Sequence, residues 1–306
     1  MTFRPPSKLV ASLAALALTI LCAWFLIRDE SLQRSLDHLR DAQTLPLLFA
    51  FALTPLLHTW RAWRLQGLLP LAAAGHGSLW SVSARVLMWN FLLPFRLGEL
   101  TFPWLLRQAA PVGIAEATGA LIFTRLVDLA TIVAIGAVAA WFTLADDVLP
   151  GPRTLLLALG AIALATPAVL VAGSTLLARI RRLENLARTA ARAISPARHL
   201  RLLITSLGLW LTHATIGFLV LGAIVGPTTF ATAALAAAAG NLAFALPING
   251  ILGLGPQQVA WVTVLDAAGI DWAKALGAAL LAHLVVFAGA MICGCIATAG
   301  RLRQHS

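Results

Sequence analysis

In NFLLPFRLGE, residues 90–99, a proline, an arginine, a glycine and a glutamate interrupt a run that is otherwise apolar. Pro94 has no amide proton to give to a helix, and Gly98 permits turns that other residues resist, so a helix entering this stretch has to break. The apolar residues around it put the break at bilayer depth, where irregular backbone survives only if protein or water satisfies it. A second interruption lies at residues 245–255, ALPINGILGLG, with Pro247, Gly250, Gly253 and Gly255. Each centres a broken region, Ser78 to Ala110 and Phe230 to Ala268. Each is followed by a charge-poor Gly-Ile turn, at Gly113 and Gly269, and then by a long apolar segment.

The surrounding chain is built for lipid. Its 306 residues are 60% hydrophobic and 11% charged, with a mean hydropathy of +0.88. A water-soluble domain of that composition would precipitate. Six stretches approach the roughly 20 apolar residues needed to cross a hydrocarbon core: Leu9 to Ile27, Leu45 to Trp60, Ala117 to Leu144, Thr154 to Ala178, Leu202 to Val225 and Ala273 to Ala297. The first is too long for a signal-peptide core and no small-x-small cleavage site follows, so it is read as a membrane helix. Trp24, Trp60, Trp141 and Trp272 fall near span ends, where an aromatic belt is expected.

The net charge of +10 does not point to nucleic acid, because the basic residues gather between spans. Arg179 to Arg201 carries seven arginines against one glutamate and marks the cytoplasmic side. Arg4, Lys8, Arg61, Arg64, Arg107, Arg301 and Arg303 fall on that side as well. About fourteen Lys and Arg then lie inside and about five outside. Both termini are expected in the cytoplasm of a bacterial-type inner membrane, with Asp146 and Asp147 outside. In the external segment Arg28 to Thr44, the spacing of Leu32, Leu36 and Leu39 predicts a short helix on the membrane surface.

If each broken region enters and leaves on one side, the parity of six crossings agrees with the arginine bias. The chain is then an all-α polytopic membrane protein, one transmembrane domain over residues 1–306. It is an inverted repeat of six full crossings plus two broken re-entrant hairpins, with repeat one at about 9–144, repeat two at about 154–297 and a basic cytoplasmic loop at 179–201. Asn90, Pro94 and Gly98-Glu99 in the first half match Asn241, Pro247 and Gly255-Pro256-Gln257 in the second. If each broken region instead crosses twice, the count rises to ten and the orientation of the rest is unchanged.

Polar residues inside these runs are the candidate site. Half-helix ends in a membrane offer partial charges to ions or head groups. Glu99 opens the helix after the first break, so it either caps that helix or handles substrate or protons; Arg96 stands beside it. Arg125 and Asp128, three apart, share a helix face. An intramembrane charge costs roughly 2.5 to 3.5 kcal/mol on insertion scales, so the two are expected to pair. That pair either pins packing or lets the arginine engage a lipid phosphate, for which its guanidinium fork is suited. Arg85 is expected to snorkel to the interface. In the second half the matching groups are softer: Asn241, Asn249 and Gln257 near the break, and His283 on the following helix. His283 and His213 are either proton relays or packing residues. Glu116, Asp266, Asp271 and Lys274 lie near span ends and are expected to be solvated.

There is no nucleotide-binding, hydrolase or metalloprotease motif, and no enzyme activity, cofactor or metal site is expected. Cys22, Cys293 and Cys295 lie in apolar runs and read as packing residues.

The sequence Asn90 to Glu99, with Gly113-Ile114, the RLVD of Arg125 to Asp128, Ala245 to Gly255 and Gly269-Ile270, resembles the flippase-like membrane domain of lysylphosphatidylglycerol synthases over essentially the whole chain. The resemblance implies two re-entrant hairpins around a central cavity lined by Glu99, Arg125 and Asp128. It also implies movement of a phospholipid or related amphipathic lipid between leaflets. Gln257 stands where the family usually has an acidic residue after the second break, so a mechanism with two symmetric carboxylates is not implied. The chain reaches Ser306 without a soluble aminoacyl-transferase domain, so synthesis of aminoacylated lipid is not expected of it.

Membrane lipids are therefore the expected partners. Two other functions fit the same plan: a transporter of a small soluble anion or amino acid, and a non-transporting scaffold whose basic 179–201 segment binds acidic lipid or a lipid-synthesis enzyme.

Overall fold

The computed structural model describes residues 8–26, 31–68, 74–144, 154–174, 180, 184–192, 195–245 and 250–302. Pro247 and Asn249 of the second break, and Asp146 and Asp147, lie outside the described residues. Among those described, the chain is helical and contains no strand. The helices are α1 (Lys8–Leu26), α2 (Ser31–Arg40), α3 (Thr44–Ala52), α4 (Thr54–Leu68), α5 (His76–Leu92), α6 (Phe102–Ala109), α7 (Ile114–Thr143), α8 (Thr154–Ala172), α9 (Glu184–Arg192), α10 (Pro196–Val225), α11 (Phe230–Ala245), α12 (Pro256–Ala267) and α13 (Trp272–Leu302). Helix boundaries follow backbone chemistry. Proline opens α10 and α12, where its missing amide costs nothing, and Gly226 closes α10 at a φ of 90°.

Among the described residues, Ile114–Thr143, Thr154–Ala172, Pro196–Val225 and Trp272–Gly300 are long and apolar enough to cross a membrane. Gln33–Arg40 and Thr44–Leu68 form a pair bent by 85°. On α8, Leu155, Ile162 and Val169 are all exposed, and an apolar helix left uncovered on this scale is solvated by lipid. This is a multi-pass membrane protein.

Helix α10 forms the centre. Its Leu209, Ile216, Val220 and Leu221 bury against Ala233, Ala236 and Ala237 of α11 and Ala275, Ala278, Ala279 and Ala282 of α13. Such small partners let helix backbones approach closely without a hydrophobic drive from water. Helix α4 packs on α10, α5 on α13 and α11 on α7, so the helix before each break leans on the long helix of the opposite half.

Both interruptions are present. After α5, Phe95 and Arg96 each adopt a φ of 55°; before α12, Leu252, Gly253 and Gly255 have φ of 56°, 77° and 126°. Gly98 folds the first break back onto α5 so tightly that a Cβ would stand 2.3 Å from the Asn90 nitrogen. At Gly250 a Cβ would stand 2.1 Å from Thr19 Oγ1, which accepts the amide of Ile251 at 2.9 Å and so seats α1 on the second break.

The helix expected on the 28–44 segment exists as α2. Its inward contact runs through Ser35, which donates to the Ala273 carbonyl at 2.8 Å, while Leu36 is exposed. Several other expectations are corrected. In the described part of the basic loop α9 docks on α7 and Arg192 pairs with Glu116 at 2.5 Å, so Glu116 is not simply solvated. Trp60 donates its indole proton to Thr212 Oγ1 at 3.1 Å and Trp272 donates its own to the Leu26 carbonyl at 3.0 Å. Arg85 is buried rather than snorkelling, and its Nε donates to the Ser81 carbonyl at 3.3 Å.

Candidate functional site

A cavity of about 550 Å³ lies between the two breaks. Helices α4, α5, α7, α10 and α11 wall it, with the first break and Gln257 of α12 contributing. Of the residues singled out in the sequence, Asn90, Arg96, Glu99, Arg125, Asp128, Asn241 and Gln257 all line it. Its apolar wall includes Phe91, Phe102, Leu126, Leu129 and Leu242.

Asp128 is the best-held charge. Arg64 grips it bidentately, Nη1 donating to Oδ1 at 2.5 Å and Nη2 to Oδ2 at 3.1 Å. Trp210 Nε1 adds a bond to Oδ1 at 3.0 Å, and Arg125 Nη1 one to Oδ2 at 3.2 Å. The carboxylate and Arg64 are both 4% exposed in their side chains, and a buried ion pair of this kind persists only when every oxygen is satisfied. The expected Arg125–Asp128 pair thus exists, but the dominant partner comes from α4. Asp128 ties α4, α7 and α10 together.

Glu99 plays a different part. It does not cap α6, whose N-cap is Thr101 without a side-chain cap bond. Its Oε1 instead accepts from Arg96 Nη2 and lies 3.1 Å from Arg125 Nη2. Arg125 therefore bridges the two carboxylates. Arg96 carries the first break across to the second half: its Nη1 donates to the Phe244 carbonyl at 2.7 Å, and its guanidinium stands 4.8 Å above the Phe244 ring. A cation at the C-terminal end of α11 complements the helix dipole there.

Arg61 and Arg64, counted in the sequence among the charges of the cytoplasmic side, both line the cavity. Arg61 forms no ion pair among the described residues, and its Nε is buried without a partner. Lying at the polar end of a span, the RAWR of residues 61–64 mimics an interfacial flank. The usable signal was its spacing, which puts both arginines on one helix face. Four arginines now face two carboxylates, leaving the lining with a formal net charge of +2.

The softer groups divide. Asn241 returns its amide to the Ala237 carbonyl at 2.7 Å, one turn back on its own helix, rather than to the break. Asn90 Oδ1 and Gln257 Oε1 are buried and unpartnered among the described residues. Neighbouring Gln258 accepts the Gly255 amide at 2.7 Å and stitches the second break, a role the sequence did not reveal. His283 does not line the cavity; it packs against Phe91 at 5.5 Å between ring centres, whereas His213 stacks on Trp210 at 5.0 Å and does line it. Gly253 and Gly255 shape the second break, as Pro94 and Gly98 shape the first, and Pro247 and Asn249 lie outside the described residues.

The family model of the lysylphosphatidylglycerol synthase TM region matches residues 12–294. No curated protein and no solved structure gives a match. The matched segment runs through every charged residue of the cavity and both interruptions of the helices, and the chain belongs to the family of lysylphosphatidylglycerol synthase transmembrane regions.

Proposed function

We propose that this protein is a bacterial inner-membrane flippase or transporter that moves a phospholipid or related amphipathic lipid between leaflets. The observation that carries the reading is the cavity itself, in which arginines from α4, α7 and the first break stand beside an apolar wall of Phe91, Phe102, Leu126, Leu129 and Leu242. A head group meets the charges while its tails stay in hydrocarbon. An ion gradient or the lipid gradient supplies the drive, and the chain performs no catalysis of its own.

The reciprocal packing of α5 on α13 and α11 on α7, with a positive-φ break after α5 and another between α11 and α12, supports an inverted repeat. In this plan six crossings flank two re-entrant hairpins and both termini are cytoplasmic. A lipid-synthesis enzyme is the natural partner, since it would deliver the substrate to one leaflet. Proteoliposomes carrying fluorescent lipids of several head groups test the proposal: faster loss of leaflet asymmetry for at least one lipid supports it, and no acceleration for any lipid sinks it.

A further inference from the structure

The arginines of the cavity are not all spent on one another. Arg64 is engaged by Asp128 and Ser206, but the Nε protons of Arg61, Arg96 and Arg125 are buried with no acceptor among the described residues. Both carboxylates are already shared, Glu99 by Arg96 and Arg125, and Asp128 by Arg64 and Arg125. Arg61 has no carboxylate at all among the described residues. Four arginines against two carboxylates leave this lining with a cationic surplus among the described residues, which a bound anion would balance. Asn90 Oδ1 and Gln257 Oε1 are acceptors left over on the same lining, matched to hydroxyl protons.

We infer that the cavity takes an anionic, phosphate-bearing and hydroxylated head group, with Arg61 as its principal cation, and disfavours the cationic aminoacylated lipid after which the family is named. The inference rests on the lipid-moving reading and deepens it by giving the substrate class. A phosphodiester brings one negative charge to a lining of net +2, whereas a lysyl ester brings two ammonium groups for one phosphate. An ammonium would meet two carboxylates that are both already paired with arginine. The same recognition chemistry would serve a soluble phosphate ester, so the test separates the two sources.

Binding is measured on the full chain in detergent by native mass spectrometry, with phosphatidylglycerol, lysylphosphatidylglycerol and glycerol 3-phosphate as probes. Phosphatidylglycerol is expected to bind at least about tenfold tighter than its lysyl ester. Arg61→Gln breaks no ion pair among the described residues, and should weaken phosphatidylglycerol by about tenfold while Arg61→Lys retains most of the affinity. Equal or tighter binding of the lysyl ester, or unchanged affinity in Arg61→Gln, overturns the assignment. Glycerol 3-phosphate binding as tightly as the lipid keeps the anion site and removes the lipid as its source. Selective lipid binding without leaflet transfer in proteoliposomes keeps the head-group assignment and sinks the lipid-moving reading alone.

Discussion

Asp128 and Glu99 are both carboxylates on one cavity, yet their surroundings give them different work. Asp128 receives four hydrogen bonds from three helices and leaves no oxygen open. Asp128→Asn strips the countercharge from buried Arg64, and we expect a loss of about 3–5 kcal/mol, read as a lowered Tm in detergent. An unchanged Tm would deny the carboxylate its structural role. Glu99 is less enclosed and, among the described residues, is held by two arginines, so it is the carboxylate able to exchange partners when an anion arrives. Much of this set was legible because a charge within an apolar run stands out: Arg96, Glu99, Arg125 and Asp128 announced themselves. Arg64 did not, since its neighbours resemble an interfacial flank, and its partner is 64 residues away.

At the scale of the element, the first break depends on backbone proximity. Gly98→Ala would drive a methyl group to 2.3 Å from the Asn90 nitrogen and 2.4 Å from the Trp89 carbonyl carbon, and neither atom can swing aside. We expect it to cost about 1–3 kcal/mol and to displace Glu99. Gly77→Ala in α5 meets nothing within 4 Å, and should instead stabilise by about 0.5 kcal/mol through helix propensity. Thermal melts of the two variants check the pair, and equal behaviour would refute the packing argument. Pro94, Gly98, Gly253 and Gly255 revealed the breaks because their backbone chemistry is local. The docking of α9 was not revealed, because a basic run looks alike whether solvated or seated on another helix.

For the whole molecule, the sequence carried the helical membrane class through composition and the length of its apolar runs. Which helix leans on which was hidden, because the contact of α5 with α13 or α11 with α7 joins residues far apart in the chain through Ala and Gly faces that carry no distinctive pattern. The proposed orientation makes a prediction at this scale. Arg188 on α9 is 65% exposed and its pair with Glu184 is a surface one of little energetic weight, so Arg188→Cys in a chain cleared of Cys22, Cys293 and Cys295 should fold normally. A membrane-impermeant maleimide should label it in inside-out vesicles and not in intact cells; labelling in intact cells would reverse the topology. The central claim is that the charged cavity carries a lipid head group across. Its most direct test is the rate of leaflet transfer of fluorescent phosphatidylglycerol in proteoliposomes, compared between the unaltered chain and Glu99→Gln at matched thermal stability. The account predicts transfer well above protein-free vesicles for the unaltered chain and a loss of about tenfold or more in the variant; transfer at the protein-free rate, or transfer indifferent to Glu99, would contradict it.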